Sequence, residues 1–163
     1  MDREKKPPHL FFHVPPQYFY KRWLFEHVYE IIEHTADVGI RATGKNMEEA
    51  FAEAARGMFA IITNGSTIES KVERHITIAH TGDMELLVVD WLSELLYIHD
   101  VEHLVFGDFS VSIDEKNLTA TARGETYDRK KHGYGVEIKA VTYHILEIQT
   151  HKKGVTINIL FDI

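Results

Sequence analysis

The 163-residue chain contains no cysteine, and that one absence excludes disulfide scaffolds, thiolate zinc sites, iron–sulfur clusters and cysteine nucleophiles. An excess of positive charge is also missing: 18 lysines and arginines face 25 aspartates and glutamates, a formal net charge of −7. Such a chain lacks the electrostatic footprint that supplies most nucleic-acid affinity, so direct RNA or DNA binding is not expected. A cationic protein partner or a divalent cation suits the balance better. Long apolar runs are absent as well, because Leu86 to Ile98 is interrupted by Asp90, Ser93 and Glu94 and is too short to span a membrane. Proline is scarce, with all four (Pro7, Pro8, Pro15 and Pro16) in the first sixteen residues. There they break an apolar stretch that has no cleavage-type end, which argues against a signal peptide. The expected location is the cytoplasm.

What is present is an ordinary globular composition, 44% apolar and 26% charged, in a chain of single-domain length. The composition shifts once, near residue 28. Residues 1–28 carry five basic side chains against three acidic ones, together with seven aromatics. They read as an amino-terminal extension, either an interaction arm or a passive segment, ahead of a domain over residues 29–163.

In the domain, Tyr29–His34 and Val38–Thr43 read as strands around a short turn. Asn46 with Glu49 three residues later forms a helix-opening capping box, and Met47, Ala50, Phe51, Ala54, Met58, Phe59 and Ile62 continue one apolar stripe. Lys71–His80 alternates as a strand. Asp83 opens a second helix to about Ile98, apolar round most of its circumference and therefore expected to be deeply buried. Leu104–Ile113 and Leu118–Tyr127 flank Asp114-Glu115-Lys116-Asn117 as a hairpin. Arg129–Gly135 reads as a basic, glycine-containing loop, and Val136–Gln149 and Val155–Phe161 as closing strands, the first also open to a partly helical reading. The expected fold is α+β, two helices packed on a largely antiparallel or mixed β-sheet.

Several motifs fail on inspection. Gly39 to Asn46 approaches the spacing of a phosphate-binding loop, but Asn46 stands where a magnesium-binding hydroxyl is required and is needed as a helix cap. The eleven histidines include no His-Glu-x-x-His pattern, and His99 and His103 straddle a helix end. Two groups of carboxylates are more suggestive. Asp90 and Glu94 lie one helical turn apart beside Ser93 and Tyr97, a like-charge pair that is either a solvated face or a cation-facing one. At the chain end, Asp162 and the α-carboxylate of Ile163 place two hard oxygen donors side by side. If the last strand is held in the sheet, a third carboxylate such as Asp37 completes an oxygen-rich site for calcium or magnesium; if it frays, no site forms.

His34-Thr35-Ala36-Asp37-Val38-Gly39-Ile40 resembles the signature of the archease family. Leu86-Leu87 with Trp91-Leu92-Ser93-Glu94-Leu95-Leu96, then Glu137-Ile138-Lys139-Ala140-Val141-Thr142-Tyr143-His144, and finally Phe161-Asp162-Ile163 are similar to its later blocks, in order. The resemblance covers residues 29–163 and says nothing of residues 1–28. It implies a protein cofactor instead of an enzyme, one that promotes GTP-dependent guanylylation and turnover of the tRNA-splicing RNA ligase and broadens its nucleotide use. It also implies a chaperone role toward a tRNA methyltransferase as an alternative, and the same carboxylates leave a free-standing metal-dependent phosphohydrolase open. By the same resemblance the metal site maps onto Asp37, Asp162 and Ile163, with calcium the implied ion. His34, Glu94 and Lys139 fall on motif positions without a ligand role and are candidates for a partner-facing surface.

Overall fold

The computed structural model describes residues 28–34 and 37–163; the amino-terminal extension through residue 27, Thr35 and Ala36, and the side chains of Val28, Glu33 and His34 lie outside the described residues. The element order is β1 (Val28–His34), β2 (Asp37–Gly44), α1 (Met47–Ile62), β3 (Val72–Ala79), α2 (Met84–Glu102), β4 (Leu104–Ile113), β5 (Asn117–Thr126), α3 (Arg129–His132), β6 (Ala140–Val141), β7 (Glu147–His151) and β8 (Gly154–Asp162).

The α+β class is as the sequence suggests, but the strands divide into two sheets. One has the order β1-β2-β8, with β6 and β7 both pairing the far edge of β8; the other has the order β3-β5-β4. Every strand pair is antiparallel, so no mixed sheet forms. Alternation along a strand specifies which side chains face the core and not which strand is the neighbour, which is why the division is invisible in the pattern.

Local signals set the element boundaries. Asn46 Oδ1 accepts from the Glu49 N–H at 2.9 Å, while Glu49 Oε2 accepts from the Lys45 N–H at 2.8 Å, and together they start α1. Asp83 Oδ1 accepts from Leu86 N–H at 3.0 Å to start α2, and His103 ends that helix in a left-handed conformation, φ 56°. Asp114 Oδ1 accepts from the N–H groups of Lys116 and Asn117, both at 2.8 Å, closing the β4–β5 hairpin.

The more enclosed helix is α1, not α2. Twelve of its 16 residues are buried, against eight of 19 in α2. The reason is position: α1 lies against β1, β2 and β8 on one side and β4 on the other, and its alanines allow both sheets to approach. Trp91 and Leu95 of α2 are fully buried, with Trp91 Nε1–H donating to the Phe51 carbonyl at 3.1 Å and tying α2 to α1. The opposite stripe of α2, with Leu86, Asp90, Ser93, Glu94, Tyr97 and Val101, is exposed.

Two segments differ from expectation. Within Arg129–Gly135 the chain forms a turn of helix, α3. In Val136–Gln149 only Ala140–Val141 and the start of β7 are strand. Ile138 is buried as an isolated anchor, and Ile145 takes φ 59°, a left-handed conformation that breaks the ladder opposite β8.

Candidate functional site

Three strand pairings bring the first, third and last of the family-like blocks to one corner of the larger sheet. In the β1–β2 pair His34 stands opposite Asp37; in the β2–β8 pair Asp37 stands opposite Asp162; in the β6–β8 pair Asp162 stands opposite Ala140. The Lys139 N–H donates to the Asp162 carbonyl at 2.8 Å, so Lys139 borders the same corner. The closing strand is therefore paired on both edges at Asp162.

Directly opposed residues in an antiparallel pair put their Cβ atoms about 4.5–5.5 Å apart on one face. Asp37 and Asp162 alternate with Val38 and Phe161, both buried in the core, so the two carboxylates share the outer face. Asp37 is half-buried, Asp162 exposed, and Ile163 follows at 38% exposure. Two rungs further into the sheet, on the same face, Gly39 stands opposite Leu160. A Cβ built on Gly39 would lie 2.5 Å from Leu160 Cδ2 and 2.8 Å from the Ile159 carbonyl oxygen, so only glycine lets Leu160 lie across β2. That close contact presses the two acid-bearing strands together.

Like charges directly opposite each other destabilise a strand pair. Among the described residues neither Asp37 nor Asp162 makes an ion pair, and neither does Lys139. Arg41, the nearest cation along β2 on that face, is four rungs away and donates from Nε to Asn158 Oδ1 at 2.9 Å. The pair therefore suits a hard divalent cation. Two side-chain carboxylates with the α-carboxylate of Ile163 fit calcium or magnesium and not zinc or copper. No group of three His, Asp or Glu side chains among the described residues is placed to hold a metal.

Glu94 is exposed on α2, and Lys139 is exposed in the segment leading into β6. The helix lies against β6, but nothing in the hydrogen bonds or ion pairs joins Glu94 to the acid pair. His34 is at the corner by register alone, its side chain lying outside the described residues. Asp90 and Glu94 make no ion pair with a described residue, as a solvated face would.

The residues also build a buried charged cluster that sequence spacing did not reveal. Glu125, 4% exposed, accepts from the Glu69 N–H at 2.9 Å and from His132 Nε2 at 3.0 Å, and pairs with Lys131 at 2.8 Å and Lys71 at 3.1 Å. Burial alone would raise its carboxyl pKa and is the largest single influence. The Glu69 N–H, Lys131, His132 and Lys71 together outweigh it and hold the group well below the usual carboxylate range. Glu125 in turn raises Lys131 above the usual lysine value. His132 is fully buried, accepting from the Asp128 N–H at Nδ1 at 2.9 Å and stacking on Tyr127. The Nε2–H tautomer satisfies both ring nitrogens. These partners come from α3, β5 and the loop after α1, so no single motif contains them.

Among the described residues no helix is long and apolar enough to cross a membrane. The Archease protein family (MTH1598/TM1083) model matches residues 29–163. The chain is 46% identical over 130 residues to the protein archease of Pyrococcus furiosus, covering 77% of this chain and 91% of that one. It is 44% identical over 140 residues to that of Methanosarcina barkeri, covering 83% and 95%. Its fold is similar to the solution structure of Methanobacterium thermoautotrophicum protein 1598, with a TM-score of 0.73 and 39% identity over 83% of this chain and 98% of that one. The crystal structure of a Thermotoga maritima archease, described as a possible chaperone, shares the fold at a TM-score of 0.58 and 22% identity, over 81% and 94%.

Proposed function

The chain belongs to the archease family, and we propose that it acts in the cytoplasm as a protein cofactor of the tRNA-splicing RNA ligase, promoting guanylylation and turnover of that ligase and widening its nucleotide use. The observation that carries the reading is the opposition of Asp37 and Asp162 across β2 and β8, where the first and last family-like blocks meet. We assign Asp37, Asp162 and the α-carboxylate of Ile163 as the groups that hold a divalent cation, calcium by the chemistry of the donors.

Guanylyl transfer spreads negative charge over phosphate oxygens, and a bound divalent cation would supply positive charge of the kind that stabilises it. The chain's own residues supply position. Gly39 and Leu160 hold the two acid-bearing strands in close register, Phe161 anchors the end of β8 in the core, and Lys139 fixes Asp162 through the main chain. The exposed Lys139 and the outward face of Glu94 offer polar contacts to the ligase, and His34 stands opposite Asp37 by register.

A multiple-turnover RNA ligation assay, with the ligase, GTP and this chain present or withheld, tests the reading. Repeated turnover only with the chain supports it. Turnover independent of the chain overturns it, and release of phosphate by the chain alone would favour a phosphohydrolase. A chaperone role toward a tRNA methyltransferase is the second reading, supported by the description of the Thermotoga maritima relative as a possible chaperone.

A further inference from the structure

The net charge of −7 conceals a local exception at α3. Its four successive residues, Arg129, Lys130, Lys131 and His132, are sorted by the fold into two sets. Lys131 and His132 turn toward Glu125 and are consumed by it. Arg129 and Lys130 are exposed, and neither makes an ion pair with a described residue. The adjacent Asp128 carboxylate is occupied as the cap, accepting from the Lys130 N–H at 2.8 Å.

The Arg129 guanidinium lies 4.5 Å from the ring centroid of Tyr134, and that ring is 72% exposed. The stack rests on a rigid base. Tyr127 Oη donates to the Gly133 carbonyl at 2.7 Å, Ser66 Oγ donates to the His132 carbonyl at 2.8 Å, and the Val136 N–H donates to the Ile61 carbonyl at 3.1 Å. A Cβ on Gly135 would come within 2.1 Å of the Ile62 carbonyl oxygen, so the loop is pinned against the end of α1. Groups already ordered lose little entropy on binding.

We propose that Arg129, Lys130 and Tyr134 form a contact site for single-stranded nucleic acid. The Arg129 guanidinium covers one face of the Tyr134 ring, so the opposite face of this exposed residue stacks a base, while the outer N–H groups of Arg129 and the Lys130 ammonium bind the flanking phosphates. An acidic protein segment would use the two cations but has no use for the exposed ring. The site is separate from the Asp37–Asp162 corner and does not depend on the assignment made there.

Fluorescence anisotropy of a labelled oligouridine with the full chain at low salt tests it, with polyglutamate as the second probe. Arg129→Ala and Tyr134→Ala should each weaken oligouridine binding roughly tenfold, while Tyr134→Phe keeps it. Removing either cation should lower the salt dependence by about 0.7 in log–log slope. Because these side chains are exposed, melting should not change; if one variant does unfold, Lys130→Ala supplies the same salt-slope readout. Absent oligouridine binding, or binding that all these variants leave unchanged, overturns the proposal. So does loss confined to polyglutamate, which would make the patch a protein contact.

Discussion

Asp37 and Asp162 are direct cross-strand partners, so two carboxylates 125 positions apart in the chain share one rung and one face of the larger sheet. Each strand is fixed from its inner side by a buried neighbour, Val38 and Phe161, and the pair lacks a cation from any described residue. An arrangement that is unfavourable alone should become more stable with the divalent cation proposed for it.

In chelator, Asp37→Asn should leave the chain as stable as the wild type or raise it by up to about 1 kcal/mol, because an opposed like charge is removed. With calcium at a hundred times its dissociation constant, the wild type should gain about 2.7 kcal/mol, and the variant should lose that gain. Urea unfolding with and without calcium measures both. Equal calcium responses in the two proteins would remove Asp37 from the site.

Gly39→Ala should destabilise the chain by roughly 1–3 kcal/mol, since its new Cβ presses on Leu160 and on the Ile159 carbonyl oxygen. It should also weaken calcium binding, as the strands that carry the acids separate. Adding Leu160→Ala relieves the side-chain clash but truncates a buried leucine and leaves the main-chain clash in place, so the double variant should be no more stable than Gly39→Ala alone. Calorimetry on the two variants reads out both effects.

Leu95→Ala should cost roughly 2–5 kcal/mol, because Leu95 is fully buried between α2 and the rest of the core. Glu94→Ala, one residue away on the exposed stripe, should change stability by no more than about 0.5 kcal/mol. A thermal melt of each variant suffices; similar costs for both would contradict the orientation of the helix.

The pH dependence of stability has a predicted sign. Glu125 is held below the usual glutamate value of 4.5, so it stabilises the fold above that pH, and the contribution is lost as pH falls through and below it. Glu125→Gln should cost about 2 kcal/mol at neutral pH and flatten the acid limb of the stability curve. A variant with the wild-type acid limb would show that other carboxylates govern it.

Much of this architecture is legible in the residues, and the rest is hidden for identifiable reasons. Asn46, Asp83 and Asp114 announce their cap and turn roles, because a short polar side chain bonding its own neighbourhood is a local property. The exposed Asp90–Glu94 stripe and the buried Trp91 and Leu95 follow from helical spacing alone. The register that unites Asp37 with Asp162 is a long-range pairing, which periodicity cannot supply but the ordered family-like blocks anticipate. Val136–Gln149 looks continuous by alternation, yet Ile145 takes a conformation that no local preference of a β-branched residue favours. The Glu125 cluster is not legible in the sequence because its partners, Lys71, Lys131 and His132, approach from a loop and a one-turn helix whose positions depend on the whole fold.

The most direct test follows label from GTP onto the RNA ligase through successive rounds of ligation, in the presence of the wild-type chain or of Asp162→Asn, each verified as folded by its melting transition. Wild-type chain should sustain repeated guanylylation, and Asp162→Asn should leave the ligase at a single round, as should a chain extended beyond Ile163 so that an amide replaces its carboxylate. Equal, sustained guanylylation with the wild type and the folded Asp162→Asn variant would contradict the account.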